Sequence, residues 1–159
     1  RLREAGEEYW VYTCGFPAGK WMNRVVDLPL SATRLPVWMS VRYGMKGFLH
    51  WGYHAYTAEM DAMQDTCYPV MHHGVQKYFP AGNHAIVYAD KDHIYESVRA
   101  HLQRISAVDG ELLMRLREKN KAACDVIIDS VCTGFEVYTT DASAIDAAHR
   151  QLLEALDQE

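Results

Sequence analysis

Three short runs, "YWVYTC" (9–14), "GFLHW" (47–51) and "AIVYAD" (85–90), are almost continuous in aromatic, β-branched and other apolar side chains. A strand with one wet face alternates apolar and polar residues, whereas a strand covered on both faces reads as an apolar run. Between and after these runs lie helical periods. Leu30, Val37, Trp38 and Val41 share one spacing, and Val98, Leu102, Ile105, Leu112 and Leu116 share another within 94–119. Strands alternating with helices and buried on both faces predict an α/β fold with a parallel sheet. In such sheets ligands bind at the carboxyl ends of the strands. Those ends are Thr13-Cys14, His50-Trp51 and Tyr88-Asp90.

The details are as follows. Asp27 is a candidate helix N-cap with Pro29 in the first turn, Pro36 should kink or delay that helix, and Gly44 suits its C-terminal end. A long helix is expected over 94–119 despite Gly110, another over 119–132, and a last one capped by Asp141 and running to Leu156. Some thirty residues after "GFLHW" carry Met, Tyr, Cys, His and Gly without a period, and so long a loop is usually functional.

With 159 residues, 49% hydrophobic, the chain can bury one sizeable core. A net charge of −5 with no basic stripe argues against nucleic acid as a partner. No apolar run reaches the ~20 residues of a membrane helix. Cys14, Cys67, Cys124 and Cys132 show no CxxC, and Cys124 and Cys132, read as one helix, would stand about 12 Å apart. Four free thiols are expected, a hint of a reducing compartment that leaves the localisation open. The chain opens on Arg1 rather than Met, which suggests a piece of a longer polypeptide.

The stretch "WVYTCGFPAGKWMNRVVDLPLSATRLPVWMSVRYGMKGFLHWGYHAY" resembles the C-terminal half of the glycoside hydrolase family 123 catalytic domain. The matching marks are Trp-x-Tyr-Thr-Cys, Asn23-Arg24, Asp27, Arg34, Trp38, Arg42-Tyr43-Gly44 and Gly-x-Leu-His-Trp-Gly. A second block, "FPAGNHAIVYADKDHIYESVRAHLQRISAVDGELLMRL", is similar to the family's last strand and following helix, with Arg99, Arg104 and Asp109 in place. The likeness covers roughly residues 5 to 118 and is looser beyond. It implies a (β/α)8 barrel, of which this chain holds about three strand-helix units at its C-terminal end, followed by extra helices. Residues 1–118 would then be barrel and 119–159 a helical appendage packed on it.

The resemblance further implies hydrolysis of β-linked N-acetylgalactosamine, with the substrate's acetamido oxygen as nucleophile, a known exception to the two-carboxylate scheme. It implies no cofactor. The family's adjacent Asp-Glu pair has no counterpart here, so the catalytic pair is expected upstream of Arg1, and this segment alone is expected to be inactive. A truncated barrel would hide its open sheet edges by self-association. The alternative is a non-catalytic carbohydrate-binding or interaction module on a degenerate barrel. Three positions depart from the family: His54 stands where Asn is usual, Gly82-Asn83 where Gly-Asp is, and Ala89-Asp90 where Pro-Gly is.

The candidate sugar-binding residues are Trp51, Tyr53, His50, His54, Tyr88 and Asp90. Sugar C–H groups pack on aromatic faces, and phenol or imidazole groups hydrogen-bond hydroxyls. Strand alternation puts Trp51 and Leu49 on one face and Phe48 and His50 on the other, so Trp51 is expected to point inward unless a bulge near Gly52 intervenes. His50 and His54 would lie roughly 13 Å apart along a strand, too far for one metal ion. Cys67, His72, His73 and His84 read as a solvated loop, and Asp90 as either a pocket residue or a loop cap. Arg24 is expected to pair with Asp27, Arg99, Arg104 and Asp109 to tie helix to barrel, and Glu7-Glu8 to be a solvated helix end.

Overall fold

Described for residues 6–158, the computed structural model begins with a βαβ unit. Strand β1 (Trp10–Thr13) leads through α1 (Ser31–Arg34) and α2 (Pro36–Tyr43) to β2 (Gly47–His50). The two strands are parallel, in a register that sets Trp10 opposite Gly47 and Thr13 opposite His50. Leu35 joins the two helices with helical dihedrals, and Pro36 occupies the first turn of α2, where its missing N–H costs nothing. Asp27 does not cap; Leu30 holds that position without a side-chain bond. Gly44 does close α2, at φ 71°.

The aperiodic stretch conceals a hairpin, β3 (Pro69–His72) and β4 (Val75–Tyr78). His73 and Gly74 form its two-residue turn, both with positive φ, the geometry that matches strand twist. The third apolar run gives β5 (Val87–Ala89), but it does not extend the parallel sheet. It pairs antiparallel with β6 (Ile94–Glu96), residues expected to be helical. Upstream of β5, residues 84–87 take their partners from 53–55: Ala55 N donates to His84 O, and Ile86 N to Tyr53 O. Each sheet among the described residues therefore has two strands, and none closes as a barrel.

Helix α3 (Val98–Lys119) starts later than expected because Ser97 caps it, its side chain accepting from Ala100 N. Its buried face is also rotated from the apolar stripe. Arg99, Ser106, Asp109, Gly110, Leu113 and Leu116 point inward, while Val98 is exposed. Polar pairs inside the first half of the helix disguise that face. Gly110 is explained by close packing, since a Cβ there would lie 2.5 Å from Val37 Cγ1. Helix α4 (Lys121–Asp129) ends before the hairpin β7 (Cys132–Gly134) and β8 (Val137–Tyr138), so Cys124 and Cys132 do not share a helix. All four cysteines are free. Helix α5 (Ala142–Asp157) is capped by Asp141, as the sequence indicates.

One apolar cluster joins these layers: Leu35, Trp38 and Met39, Leu113 and Leu116, Ile127 and Ile128, Ile145 and Leu152. Within it Asp109, fully buried, accepts from Arg34 Nε (2.8 Å) and Trp38 Nε1 (2.9 Å), with His149 Nδ1 2.9 Å away. Four helices thus meet at one carboxylate. Trp10, Tyr12 and Leu49 share one face of the β1–β2 pair and are each about half exposed. Glu7 and Glu8 are exposed as expected, but they lie in irregular chain before β1 and are not the end of a helix. No helix among the described residues is long and apolar enough to cross a membrane.

Candidate functional site

At the carboxyl ends of β1 and β2 the chain turns sharply, and polar side chains fold back over the strand ends. Asn23 donates to the Cys14 carbonyl (2.9 Å) and accepts from Arg24 N (2.8 Å), which aims Arg24 across the strand ends. Arg24 Nη2 lies 2.7 Å from His50 Nδ1, and Nη1 donates to Gln103 Oε1 on α3. Arg24 makes no ion pair with Asp27; its second strand-end partner is the imidazole. Burial, then the neighbouring Arg99, lowers the Arg24 guanidinium to about 10, so it stays charged at neutral pH.

His50 is fixed on both edges. Gly52 N also donates to Nδ1 (3.2 Å), and Asn83 Nδ2 stands 3.1 Å from Nε2. Burial, then Arg24 and Arg99, push the ring down to about 3, so it is neutral near pH 7. The regular alternation of β2 ends at His50. Trp51 lies in the bend that follows, its indole Nε1 donating to Asn83 Oδ1 (2.9 Å). The Trp51 and His50 rings are therefore close to parallel, 19° apart, and both reach the same amide, rather than pointing to opposite faces. The Trp51 ring is held edge-on by Tyr68 (5.1 Å, 77°) and tilted against Phe79 (5.5 Å). The two residues that flank the base of the β3–β4 hairpin thus pack against the indole.

Beyond Gly52, where a Cβ would lie 2.5 Å from the His84 carbonyl oxygen, the chain runs beside residues 84–87. Tyr53 is exposed, and the His54 ring, also exposed, bonds the Val87 carbonyl through Nδ1 (2.9 Å) and leans on Tyr56 (4.9 Å). Tyr88 is half-buried, its hydroxyl accepting from Arg99 Nη2 (2.7 Å). Arg99 itself is a buried clasp. It donates to the carbonyls of Arg24, Gly82 and Ala85 as well, so two loops and α3 meet on one guanidinium.

Asp90 stands apart from this group. Its carboxylate accepts from the N–H groups of Asp92 and His93 and from the Tyr95 hydroxyl, and these bonds hold it below the usual carboxylate range. It works as the cap of the β5–β6 turn. Arg104 is exposed, beside His101, and its tie from α3 to a strand is the ion pair with Glu96 at the end of β6, 3.8 Å away. His84 is not part of a solvated loop. It is fully buried against Tyr56 and Tyr68, with both ring nitrogens unpartnered, and burial followed by Arg99 lowers its pKa. His72 and His73 are exposed, and Cys67 is half-buried.

The site therefore gathers His50, Trp51, Asn83, Arg24 and Arg99 tightly, with Tyr53, His54 and Tyr88 beside them. Asn83 and Arg24 are not among the candidate sugar-binding residues of the sequence. Both lie in the family-like blocks, but what matters is the carbonyl and ring each one reaches across the fold.

Residues 1–116 match the family described as Glycoside hydrolase 123, catalytic domain. No curated protein matches the chain. Among solved structures, the chain is similar to a family 123 glycoside hydrolase from Clostridium perfringens, studied for glycolipid glycan hydrolysis. The identity is 18% and the TM-score 0.60, covering 98% of this chain. The chain spans 28% of the length of that enzyme.

Proposed function

This chain belongs to the glycoside hydrolase 123 catalytic-domain family, and on that premise we propose that it forms one wall of a sugar pocket in a longer (β/α)8 barrel. The reaction we assign to the intact catalytic domain is substrate-assisted hydrolysis of a β-linked N-acetylhexosamine, of the N-acetylgalactosamine type, from a glycan such as that of a glycolipid. The observation that carries this reading is the convergence of Trp51, His50 and Asn83 at the carboxyl ends of β1 and β2. That end is where barrel enzymes bind substrate.

The open face of Trp10, Tyr12 and Leu49 supports the barrel reading. Three large apolar side chains on one sheet face need a covering layer, and in a closed barrel that layer is the lumen packing. Residues 119–159, in this reading, form a helical appendage whose α4 and α5 seal the helix-side core. The strand-end residues would bind rather than transfer protons. His50 at about 3 holds no proton to give near neutrality, and the Asp90 carboxylate is engaged in its turn. The general acid and the group that orients the acetamide would then come from elsewhere in the catalytic domain. Trp51, Tyr53 and His54 would contact the sugar, with Tyr88 behind them.

The test is turnover of an aryl β-N-acetylgalactosaminide by the intact catalytic domain, with Trp51→Ala beside it. Loss of a stacked, hydrogen-bonding indole should lower kcat/KM at least about tenfold. Wild-type kinetics in Trp51→Ala would make the indole a packing residue only. Sugar binding without turnover, across all β-N-acetylhexosaminides tried, would replace the enzyme by a carbohydrate-binding module.

A further inference from the structure

Asn83 is fully buried and meets three residues from two other chain segments with one side chain. Its orientation is not ambiguous, because two partners can play only one role. The indole Nε1 can only donate, so Oδ1 must face Trp51 (2.9 Å). The Cys14 carbonyl can only accept, so Nδ2 must face it (2.6 Å). The remaining side of Nδ2 is turned to His50 Nε2 at 3.1 Å.

The other edge of the same imidazole is also met by donors, Arg24 Nη2 at 2.7 Å and Gly52 N at 3.2 Å, both at Nδ1. A doubly protonated ring would find no acceptor among these partners on either edge. The charged groups that act on it are Arg24 and Arg99, both cationic. We propose that Asn83 is the positioning residue of this site: its buried amide sets the plane of Trp51 and, facing the Nε2–H of His50 with an uncharged NH2 group rather than an acceptor, withholds the acceptor and counter-charge that an imidazolium needs. This rests on the reading that Trp51 and His50 line the sugar pocket.

Replacing Asn83 by Asp changes a donor into an acceptor at nearly constant shape. One carboxylate oxygen can still take the indole N–H; the other gives up the bond to the Cys14 carbonyl and offers His50 Nε2–H an acceptor and a counter-charge. In the intact catalytic domain with 15N-labelled histidine, wild-type His50 should stay neutral down to about pH 5, as its donors require. In Asn83→Asp its titration should move up by about two units or more, as a close carboxylate allows. The pH profile of kcat/KM should gain the corresponding ionisation. Asn83→Ala should raise KM on the order of tenfold with kcat within about twofold, through the freed indole. An unmoved His50 titration in Asn83→Asp overturns the proposal, and so does a wild-type KM in Asn83→Ala. If Asn83→Ala fails to fold, the near-isosteric Asn83→Asp still decides through the histidine signal. A domain that hydrolyses no N-acetylhexosaminide refutes the sugar-pocket reading, while the nitrogen titration separately judges the hold of Asn83 on His50.

Discussion

Removing the Asp109 carboxylate should unfold the junction of four helices. Asp109 is fully buried and accepts from Arg34 Nε (2.8 Å) and Nη2 (3.4 Å) and from Trp38 Nε1 (2.9 Å). Asp109→Ala strands a guanidinium and an indole N–H inside the core. Breaking a buried ion pair from one side costs about 3–5 kcal/mol, and an orphaned neutral donor about 1–3 kcal/mol more. Two features reduce the sum. The Arg34 side chain keeps an 11% opening to solvent, and its Nη1 lies 3.4 Å from Asp146, which can take up part of the charge. The expected loss is therefore about 3–4 kcal/mol. For a domain of this size each kcal/mol moves Tm by about 2–4 °C, so Asp109→Ala should melt roughly 10 °C lower. Urea unfolding followed by far-UV circular dichroism gives the free energy directly. Asp109→Asn, which keeps one acceptor, should lose about half as much. The double replacement Arg34→Met with Asp109→Leu should recover the guanidinium's share of the loss, because a packed apolar pair often matches a buried ion pair, and leave the share of the orphaned Trp38 N–H. A loss below about 1 kcal/mol in Asp109→Ala would mean that water already satisfies Arg34 and Trp38, and the junction argument would fail.

Two further outcomes can be measured on the same protein. His50 is lowered from 6.5 to about 3 on folding, so between those values the unfolded ring binds a proton that the folded ring refuses. Its contribution is whole above 6.5 and is lost as pH falls, by up to about 1.4 kcal/mol per pH unit, and the wild-type minus His50→Gln difference in urea stability should show that slope; a flat difference would place the ring in water. Gly52→Ala should cost about 1–3 kcal/mol because the new Cβ meets His84 backbone atoms at 2.5–2.8 Å, whereas at Gly47 it meets the Trp10 ring, which is exposed enough to swing away. Equal melting of the two variants would contradict that distinction.

The elements most legible in the sequence were those whose signals are local. The β1 and β2 runs, the Gly44 stop, the Asp141 cap and the family motifs all read correctly from a few adjacent residues. The errors came where long-range contacts decide. "AIVYAD" looks like another parallel strand, yet residues 53–55 and Ile94–Glu96 claim its backbone groups first. Helix α3 hides its true face because Arg99, Ser106 and Asp109 are buried polar residues, and a stripe of apolar letters pointed one residue aside. The His73-Gly74 turn carried a readable glycine signal, but β4 is exposed throughout and β3 is partly buried only at Pro69 and Val70, so neither strand shows an alternating apolar face. At the site, alternation wrongly separated Trp51 from His50, because β2 stops one residue before the indole. Asn83 has importance only through Cys14, His50 and Trp51, which are 32 or more residues away in sequence.

The Arg99 clasp also sorts this surface into parts that can and cannot be exchanged. It grips Gly82 and Ala85 on one side and Arg24 on the other, so the loops that carry those residues must vary together. The β3–β4 hairpin hangs outside that grip, entering and leaving through Tyr68 and Phe79, whose backbones pair at 2.9 Å and whose rings hold Trp51. Residues 69–78 are therefore a cassette. A longer, shorter or differently charged tip can be grafted between those two aromatic posts, changing what approaches the strand ends while the strand ends themselves keep their shape.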